Sequence, residues 1–70
     1  MNPKVAILEQ TLEQLELMTT ALAELRREHL PRQPKTFAIL AEGPLEMIRR
    51  LQIEIDKLAA EIAATAPAAA

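Results

Sequence analysis

Apolar residues recur at every third or fourth position in two long stretches of the chain. The first stretch has spacings of 4, 3, 4 and 3 through Leu8, Leu12, Leu15, Thr19 and Leu22. The second has spacings of 3, 4, 3 and 4 through Ile48, Leu51, Ile55, Leu58 and Ile62. An α-helix with one apolar face shows this periodicity. The pattern therefore predicts two amphipathic helices.

The two rows match when one helix is reversed against the other. The layers of this alignment are Leu8–Ile62, Leu12–Leu58, Leu15–Ile55, Thr19–Leu51 and Leu22–Ile48, and Leu25 and Leu45 extend the packing seam toward the turn. Such layers are typical of helices that pack at a shallow angle. The fold class predicted is all-α, an antiparallel two-helix hairpin. Ile and Leu in these positions also suit a parallel coiled coil between the last helices of two chains, and this alternative stays open.

Proline and glycine predict the boundaries of a single helical-hairpin domain over residues 1–66. The first helix covers about residues 3–30, since Asn2 can cap it and Pro3 suits its first turn. A linker and a short helical turn occupy 31–43, because Pro31 and Pro34 interrupt the first helix and Gly43 stops the insert. The last helix covers about 44–64, and 67–70 form a frayed tail.

The connection is unusually apolar, with the sequence TFAILAEGPLE from Thr36 to Glu46. Two interpretations of Phe37 to Glu42 stay open. In the first, Phe37, Ile39, Leu40 and Ala41 cover the open end of the hairpin as a core cap. In the second, Phe37 is a binding knob for a partner, since interface anchors are often single aromatic residues.

Further apolar residues lie outside the two rows. The candidate partner or dimer surface consists of Leu17, Met18, Phe37, Met47 and Ile53. Apolar faces wider than one row indicate a second packing surface. The sequence therefore predicts a homodimer that forms a four-helix bundle, or docking on a heterologous helical protein partner.

Composition supports a binding role and gives no sign of catalysis. The 70 residues include no Cys and one His, so neither a disulfide nor a metal site is expected. We expect no catalytic residues, no cofactor and no enzyme activity, because no nucleophile constellation or phosphate-binding loop occurs. The stretch Leu45 to Asp56 resembles the first helix of the chorismate mutases, but without the helices that follow there the resemblance implies no activity. A cytoplasmic location is expected, since neither a signal peptide nor a membrane span is recognisable.

Charge provides the second hypothesis for function. The net charge is −2, which gives no general attraction to nucleic acid. Six basic residues are nevertheless predicted to gather at the turn end of the hairpin as a candidate basic patch: Arg26, Arg27, Arg32, Lys35, Arg49 and Arg50. The alternative function is therefore a nucleic-acid-binding hairpin dimer. Acidic neighbours and the lack of further aromatic residues weigh against it.

Overall fold

The computed structural model describes residues 2–65, which form two α-helices. Helix α1 spans Pro3–His29 and helix α2 spans Pro34–Thr65. The helices pack against each other, so the prediction of an all-α fold with two paired helices is confirmed. Neither of them is long and apolar enough to cross a bilayer. The predicted frayed tail, 67–70, lies outside the described residues.

Helix α1 begins at the Asn2-Pro3 pair. Oδ1 of Asn2 accepts a hydrogen bond of 3.0 Å from the backbone N–H of Lys4. This bond satisfies one of the donors that the first turn of a helix leaves free. Pro3 takes the first helical position, where its missing N–H removes no helical hydrogen bond.

Residues 30–33 connect the helices in a turn closed by hydrogen bonds. The carbonyl oxygen of His29 accepts from the N–H groups of Arg32, at 3.3 Å, and Gln33, at 2.6 Å. The carbonyl of Gln33 in turn accepts from the N–H of Phe37 at 2.9 Å, which starts the hydrogen bonding of α2. The helices therefore reverse direction over a connection much shorter than the sequence predicted.

The prediction of a separate helical insert that ends at Gly43 is wrong, because α2 continues through Gly43 and Pro44. Gly43 has no positive φ, so its backbone is not in the left-handed conformation that ends many helices. Pro44 cannot donate a hydrogen bond to the carbonyl of Leu40, and proline in a helix interior costs about 3 kcal/mol. Leu40 is 45% exposed, which gives water access to this turn of the helix.

Packing against α1 offsets the cost of Pro44. The residues of α2 that are buried or half-buried at apolar positions are Phe37, Ala41, Pro44, Ile48, Leu51, Ile55, Leu58 and Ile62. Their spacing of three and four residues continues across Pro44 without a break. Ala41 is only 1% exposed. The segment predicted as an insert is therefore the first part of the α2 interface.

The face of α1 that meets α2 differs from the predicted one. Its buried and half-buried residues are Leu8, Thr11, Leu15, Met18, Leu22 and Leu25. Thr11 is 8% exposed whereas Leu12 is 40% exposed. Met18 is likewise half-buried whereas Thr19 is exposed. The interface is thus rotated by about 50°, half of the step from one helical residue to the next. Thr11 can be buried because its hydroxyl donates to the carbonyl of Ile7 at 2.8 Å.

The register between the helices also differs from the predicted one. Nζ of Lys4 lies 3.0 Å from Oε2 of Glu61. Counting four residues from Lys4 along α1 and four residues back from Glu61 along α2 brings Leu8 level with Lys57, next to Leu58, whereas the prediction placed Leu8 opposite Ile62. The shift is one turn of helix. It follows from the early start of α2 at Pro34, since the predicted register assumed a helix that begins near Pro44.

The hairpin is a rod of 54 × 19 × 14 Å with little interior. Among the described residues, the buried hydrophobic side chains are Ala41, Leu51 and Leu58. The exposed large hydrophobic residues are Val5, Ile7, Leu12, Leu17, Leu30, Ile39, Leu40, Leu45, Met47 and Ile53. Two helices alone thus leave most of the apolar side chains in contact with water.

Candidate interaction surface

Each helix has residues that flank its interface row, and these flanking residues form two long edges of the hairpin. Residues one position after an interface residue lie on one flank of a helix. Because the helices are antiparallel, these flanks of α1 and α2 fall on the same edge. Residues one position before an interface residue form the opposite edge. The two edges differ in charge.

The first edge, which we call the Leu12 edge, is mainly apolar and uncharged. It consists of Val5, Leu12, Thr19 and Arg26 of α1 and Ala38, Leu45, Gln52 and Ala59 of α2. The side chains of Val5, Leu12 and Leu45 are 39%, 40% and 38% exposed. Among these eight residues Arg26 is the one with a charge, and it lies at the turn end. Other residues that follow an interface residue form the outer rim of this edge and include Glu9, Glu16, Glu42, Arg49 and Asp56. Leu12 and Leu45 were predicted to lie in the seam between the helices, and the structure places both on this edge.

The opposite edge, which we call the Met47 edge, mixes apolar and acidic residues. It consists of Ile7, Gln14, Ala21 and Glu28 of α1 and Leu40, Met47, Glu54 and Glu61 of α2. Ile7 and Met47 are 47% and 42% exposed. The ion pair between Lys4 and Glu61 belongs to this edge, and both of its side chains remain partly accessible to water.

The residues predicted as a partner surface do not share one face. Met18 is half-buried in the row that meets α2. Met47 lies on the Met47 edge. Leu17 is 66% exposed on the outer side of α1, and Ile53 is 69% exposed on the side of α2 that points away from α1. The structure therefore does not gather these four residues on one exposed face.

Phe37 packs against α1. It lines a shallow recess together with Thr19, Leu22, Ala23 and Arg26. The other residues of the predicted cap do not follow it, because Ile39 is 68% exposed and lies on the outer side of α2. Phe37 and Ala41 thus contribute to the hairpin as members of a continuous helical row.

The six residues of the candidate basic patch are not gathered at one end. Arg26 and Arg27 end α1, and Arg32 and Lys35 lie in and after the turn. Arg49 and Arg50 lie about 20 Å further along α2 than Lys35, at 1.5 Å per residue. Arg50 also donates a hydrogen bond of 2.8 Å to Glu46, which offsets its charge locally. The early start of α2 thus separates the predicted patch into two groups.

The side chain of His29 lies at the turn between the helices. His29 is half-buried at the end of α1, and its Nδ1 lies 3.1 Å from Oε1 of Gln33. Its Nε2 lies 3.7 Å from a carboxylate oxygen of Glu28. Residues 2–65 contain no cluster of three or more acidic, histidine or cysteine side chains that could hold a metal ion. The imidazole therefore takes part in closing the turn.

Comparison with known proteins found no matching family model, no matching curated protein and no matching solved structure. The edges described above are accordingly defined by the geometry of this chain alone. Sequence reasoning missed the Leu12 edge because its leucines were assigned to the seam. One signal could have revealed it: the spacing of Ile48 and Leu51 continues upstream through Pro44, Ala41 and Phe37.

Proposed function

We propose that this protein is a small non-enzymatic interaction module that acts as a homodimer, in which two hairpins associate through their apolar edges as a four-helix bundle. The observation that carries the proposal is the small interior of the hairpin. Only three hydrophobic side chains among residues 2–65 are buried, whereas ten large ones are exposed. Large apolar areas open to water favour association.

The amount of exposed surface supports the proposal quantitatively. The accessible surface is 5616 Å². A compact monomer of 7.8 kDa is expected to expose about 4400 Å². The excess is comparable with the roughly 800 Å² that each partner buries in a stable protein interface. One further hairpin is thus enough to bring the exposed surface to a normal value.

The arrangement of apolar residues also suits a bundle of helices. Leu12 and Leu45 flank the interface rows of their helices, and a row plus one flank gives the wide apolar face of a bundle helix. Stacking a second hairpin on such an edge surrounds each helix with two neighbours. Four-helix bundles bury their apolar residues in this way.

Sedimentation equilibrium at micromolar concentration tests the proposal. We expect a mass about twice 7.8 kDa. We also expect the midpoint of thermal unfolding, followed by circular dichroism, to rise with protein concentration, since association stabilises the folded state by mass action. A well-folded monomer with a concentration-independent midpoint would exclude the dimer and leave a heterologous protein as the partner.

Two matched double variants distinguish association through the edges from nonspecific hydrophobic association. Leu12→Lys with Met47→Lys introduces a charge on each edge, and we expect it to abolish dimer formation. Ile39→Lys with Ile53→Lys introduces the same charges on the outer side of α2, where both side chains are more than two-thirds exposed. We expect the second variant to remain dimeric. Equal loss of association in both would argue against an edge-to-edge dimer.

The alternative of nucleic-acid binding receives no support from the arrangement of charges. Arg49 and Arg50 are remote from the turn, and the chain has a net charge of −2. Binding to a phosphate backbone depends on several cations acting together. The interaction module is therefore the function we favour.

A further inference from the structure

The two edges of the hairpin are unequal as interfaces, which indicates how two copies associate. Covering the Met47 edge removes Glu54 and the Lys4–Glu61 pair from water, and buried charges without full compensation are costly. Covering the Leu12 edge removes mainly uncharged side chains from water. Among the eight residues of the edge Arg26 is the one with a charge, whereas Glu16 and Arg49 lie on its outer rim. The Leu12 edge is thus the better surface for a second copy.

Two hairpins can be stacked on this edge in two ways that keep a twofold axis. In one, α1 lies on α1 of the partner copy. In the other, α1 lies on α2 of the partner copy. Between Lys4 and Arg26, α1 carries four Glu residues and no cation: Glu9, Glu13, Glu16 and Glu24. The first stacking opposes two acidic helices. The central part of α2 carries Arg49, Arg50 and Lys57 together with Glu46, Glu54 and Asp56, so it has no net charge and repels α1 less.

The second stacking gives specific pairs of charges. Its twofold axis is parallel to the helices, so the rotation does not change the position of a residue along the helix axis. Two residues at the same height along this axis in one hairpin are therefore also at the same height across the interface. Counting twelve residues from Lys4 along α1 and twelve residues back from Glu61 along α2 brings Glu16 level with Arg49. Both residues follow an interface residue, Leu15 and Ile48, by one position, and therefore both lie on the outer rim of the Leu12 edge.

Within one hairpin, Glu16 and Arg49 lie on opposite rims and do not meet. The ion pairs formed by residues 2–65 are Lys4–Glu61, Glu28–His29 and Glu46–Arg50. Glu16 and Arg49 are both exposed and take part in none of these pairs. A second copy stacked with α1 on α2 brings Glu16 of each chain beside Arg49 of the other.

Building on the proposed function, we infer that the partner of the Leu12 edge is a second copy of this chain, with α1 packed against the partner copy's α2 and Glu16 paired with the partner copy's Arg49. In the same arrangement Arg26 is level with Ile39 of the partner copy, and Glu42 of the partner copy lies about one helical turn away, so their attraction is weaker. The arrangement places Glu9 near Asp56 of the partner copy, which is unfavourable. Charge pairs of this kind select the orientation of an interface more than they add to its affinity.

The choice of edge is tested with single variants. Leu12→Lys is expected to weaken the dimer at least tenfold in sedimentation equilibrium, since it buries an unpaired charge in the interface. Met47→Lys serves as the matched control, because Met47 has nearly the same exposure on the opposite edge. We expect less than a threefold change for it. The reverse ranking would overturn the assignment of the Leu12 edge.

The orientation is tested by charge reversal in buffer of low salt. We expect Glu16→Arg and Arg49→Glu each to weaken the dimer about tenfold, and the combination of both to restore the affinity of the wild type. Glu16→Arg changes the net charge from −2 to 0. General repulsion between copies therefore predicts tighter association for this variant, and the specific pair predicts the opposite.

A second exchange controls for the total charge. Glu13→Arg with Lys57→Glu also conserves the net charge, but these exposed residues lie away from the Leu12 edge, so we expect the wild-type affinity throughout this series. A dimer that is insensitive to Glu16→Arg and Arg49→Glu would overturn the orientation and leave the proposed function intact. A wild-type monomer would instead refute the proposed function. Circular dichroism of each variant shows that the helices are retained.

Discussion

Replacing Gly43 with Ala tests the continuity of α2 with a single methyl group. In the structure Gly43 is helical and exposed, its φ is not positive, and an added Cβ meets no atom within 4 Å apart from its chain neighbours and the nearby backbone of its own helix. Ala is favoured over Gly in a helix interior by about 0.8–1 kcal/mol. The ring of Pro44 disfavours the helical conformation of a preceding residue that has a Cβ, and this reduces the difference. We therefore expect Gly43→Ala to stabilise the protein by at most about 1 kcal/mol.

Urea and thermal unfolding followed by circular dichroism measure the change. A gain of about 1 kcal/mol corresponds to a rise in Tm of roughly 4–8 °C for a domain of this size. Wild type and variant are compared at one protein concentration, because association with a second copy also affects the midpoint. The slope of the urea transition is expected to stay the same, since the surface exposed on unfolding is unchanged.

Ala60→Gly is the matched control, because Ala60 is an exposed helical residue of the same helix. Ala60→Gly is expected to destabilise the protein by a similar amount. It thus measures the difference between Ala and Gly at an ordinary exposed position of α2. A loss of stability in Gly43→Ala that persists when Pro44 is also changed to Ala would refute the continuous helix. Such a loss is what a left-handed Gly at a helix end would produce, as the sequence pattern Gly43-Pro44 had suggested.

Three further predictions follow from burial, hydrogen bonding and charge. Leu58→Ala should lower the free energy of unfolding in urea by about 2–4 kcal/mol, since Leu58 is 6% exposed. Ile53 is 69% exposed on the outer side of α2, so Ile53→Ala should change it by less than about 0.5 kcal/mol. Similar losses in both variants would contradict the observed face of α2. Thr11→Val should leave the stability unchanged or raise it by up to about 1 kcal/mol. The Thr11 hydroxyl adds a second hydrogen bond to the Ile7 carbonyl, which already accepts one within the helix, and valine puts a buried methyl group in its place. A marked loss of stability would show that the hydroxyl has another role. Filter binding with single-stranded RNA at physiological salt should detect no complex. Retention of the RNA by the protein, with a decrease when Arg26 and Arg27 are changed to Glu, would instead support nucleic-acid binding at the turn.

The pairing of two helices could be predicted because it depends on periodicity alone. Ile48, Leu51, Ile55, Leu58 and Ile62 follow one helical row and carry no competing apolar row beside them. The structure places all five toward α1, with Leu51 and Leu58 buried. The dimer stays a prediction, since it concerns a second chain.

The face of α1 could not be chosen from its sequence. Leu8, Leu12, Leu15 and Thr19 form a row with helical spacing, and so do Leu8, Thr11, Leu15 and Met18. Hydrophobicity favours Leu12 over Thr11 for the interior. The structure has the opposite arrangement, because the short turn and the position of α2 determine which side of α1 is covered. Thr11 then satisfies its hydroxyl within its own helix.

The continuity of α2 illustrates how tertiary packing overrides a local signal. Gly43 followed by Pro44 favours a break between helices when only neighbours along the chain are considered. The burial of Ala41 and the packing of Phe37 beside Leu22 hold the upstream segment against α1. The predicted grouping of the basic patch is wrong for the same reason, since the prediction assumed that Arg49 lies near the turn.

The short connection between His29 and Pro34 also determines the order in which the hairpin can assemble. Arg26 and Phe37 line the same recess and are separated by a small loop, so bringing them together costs little chain entropy once the turn has formed. Each layer farther from the turn then closes only a few additional residues, and Lys4 meets Glu61 last. We expect folding to proceed like a zipper from the turn, at the high speed of proteins with local contacts. The open ends of the helices are accordingly the first parts to separate when the protein unfolds.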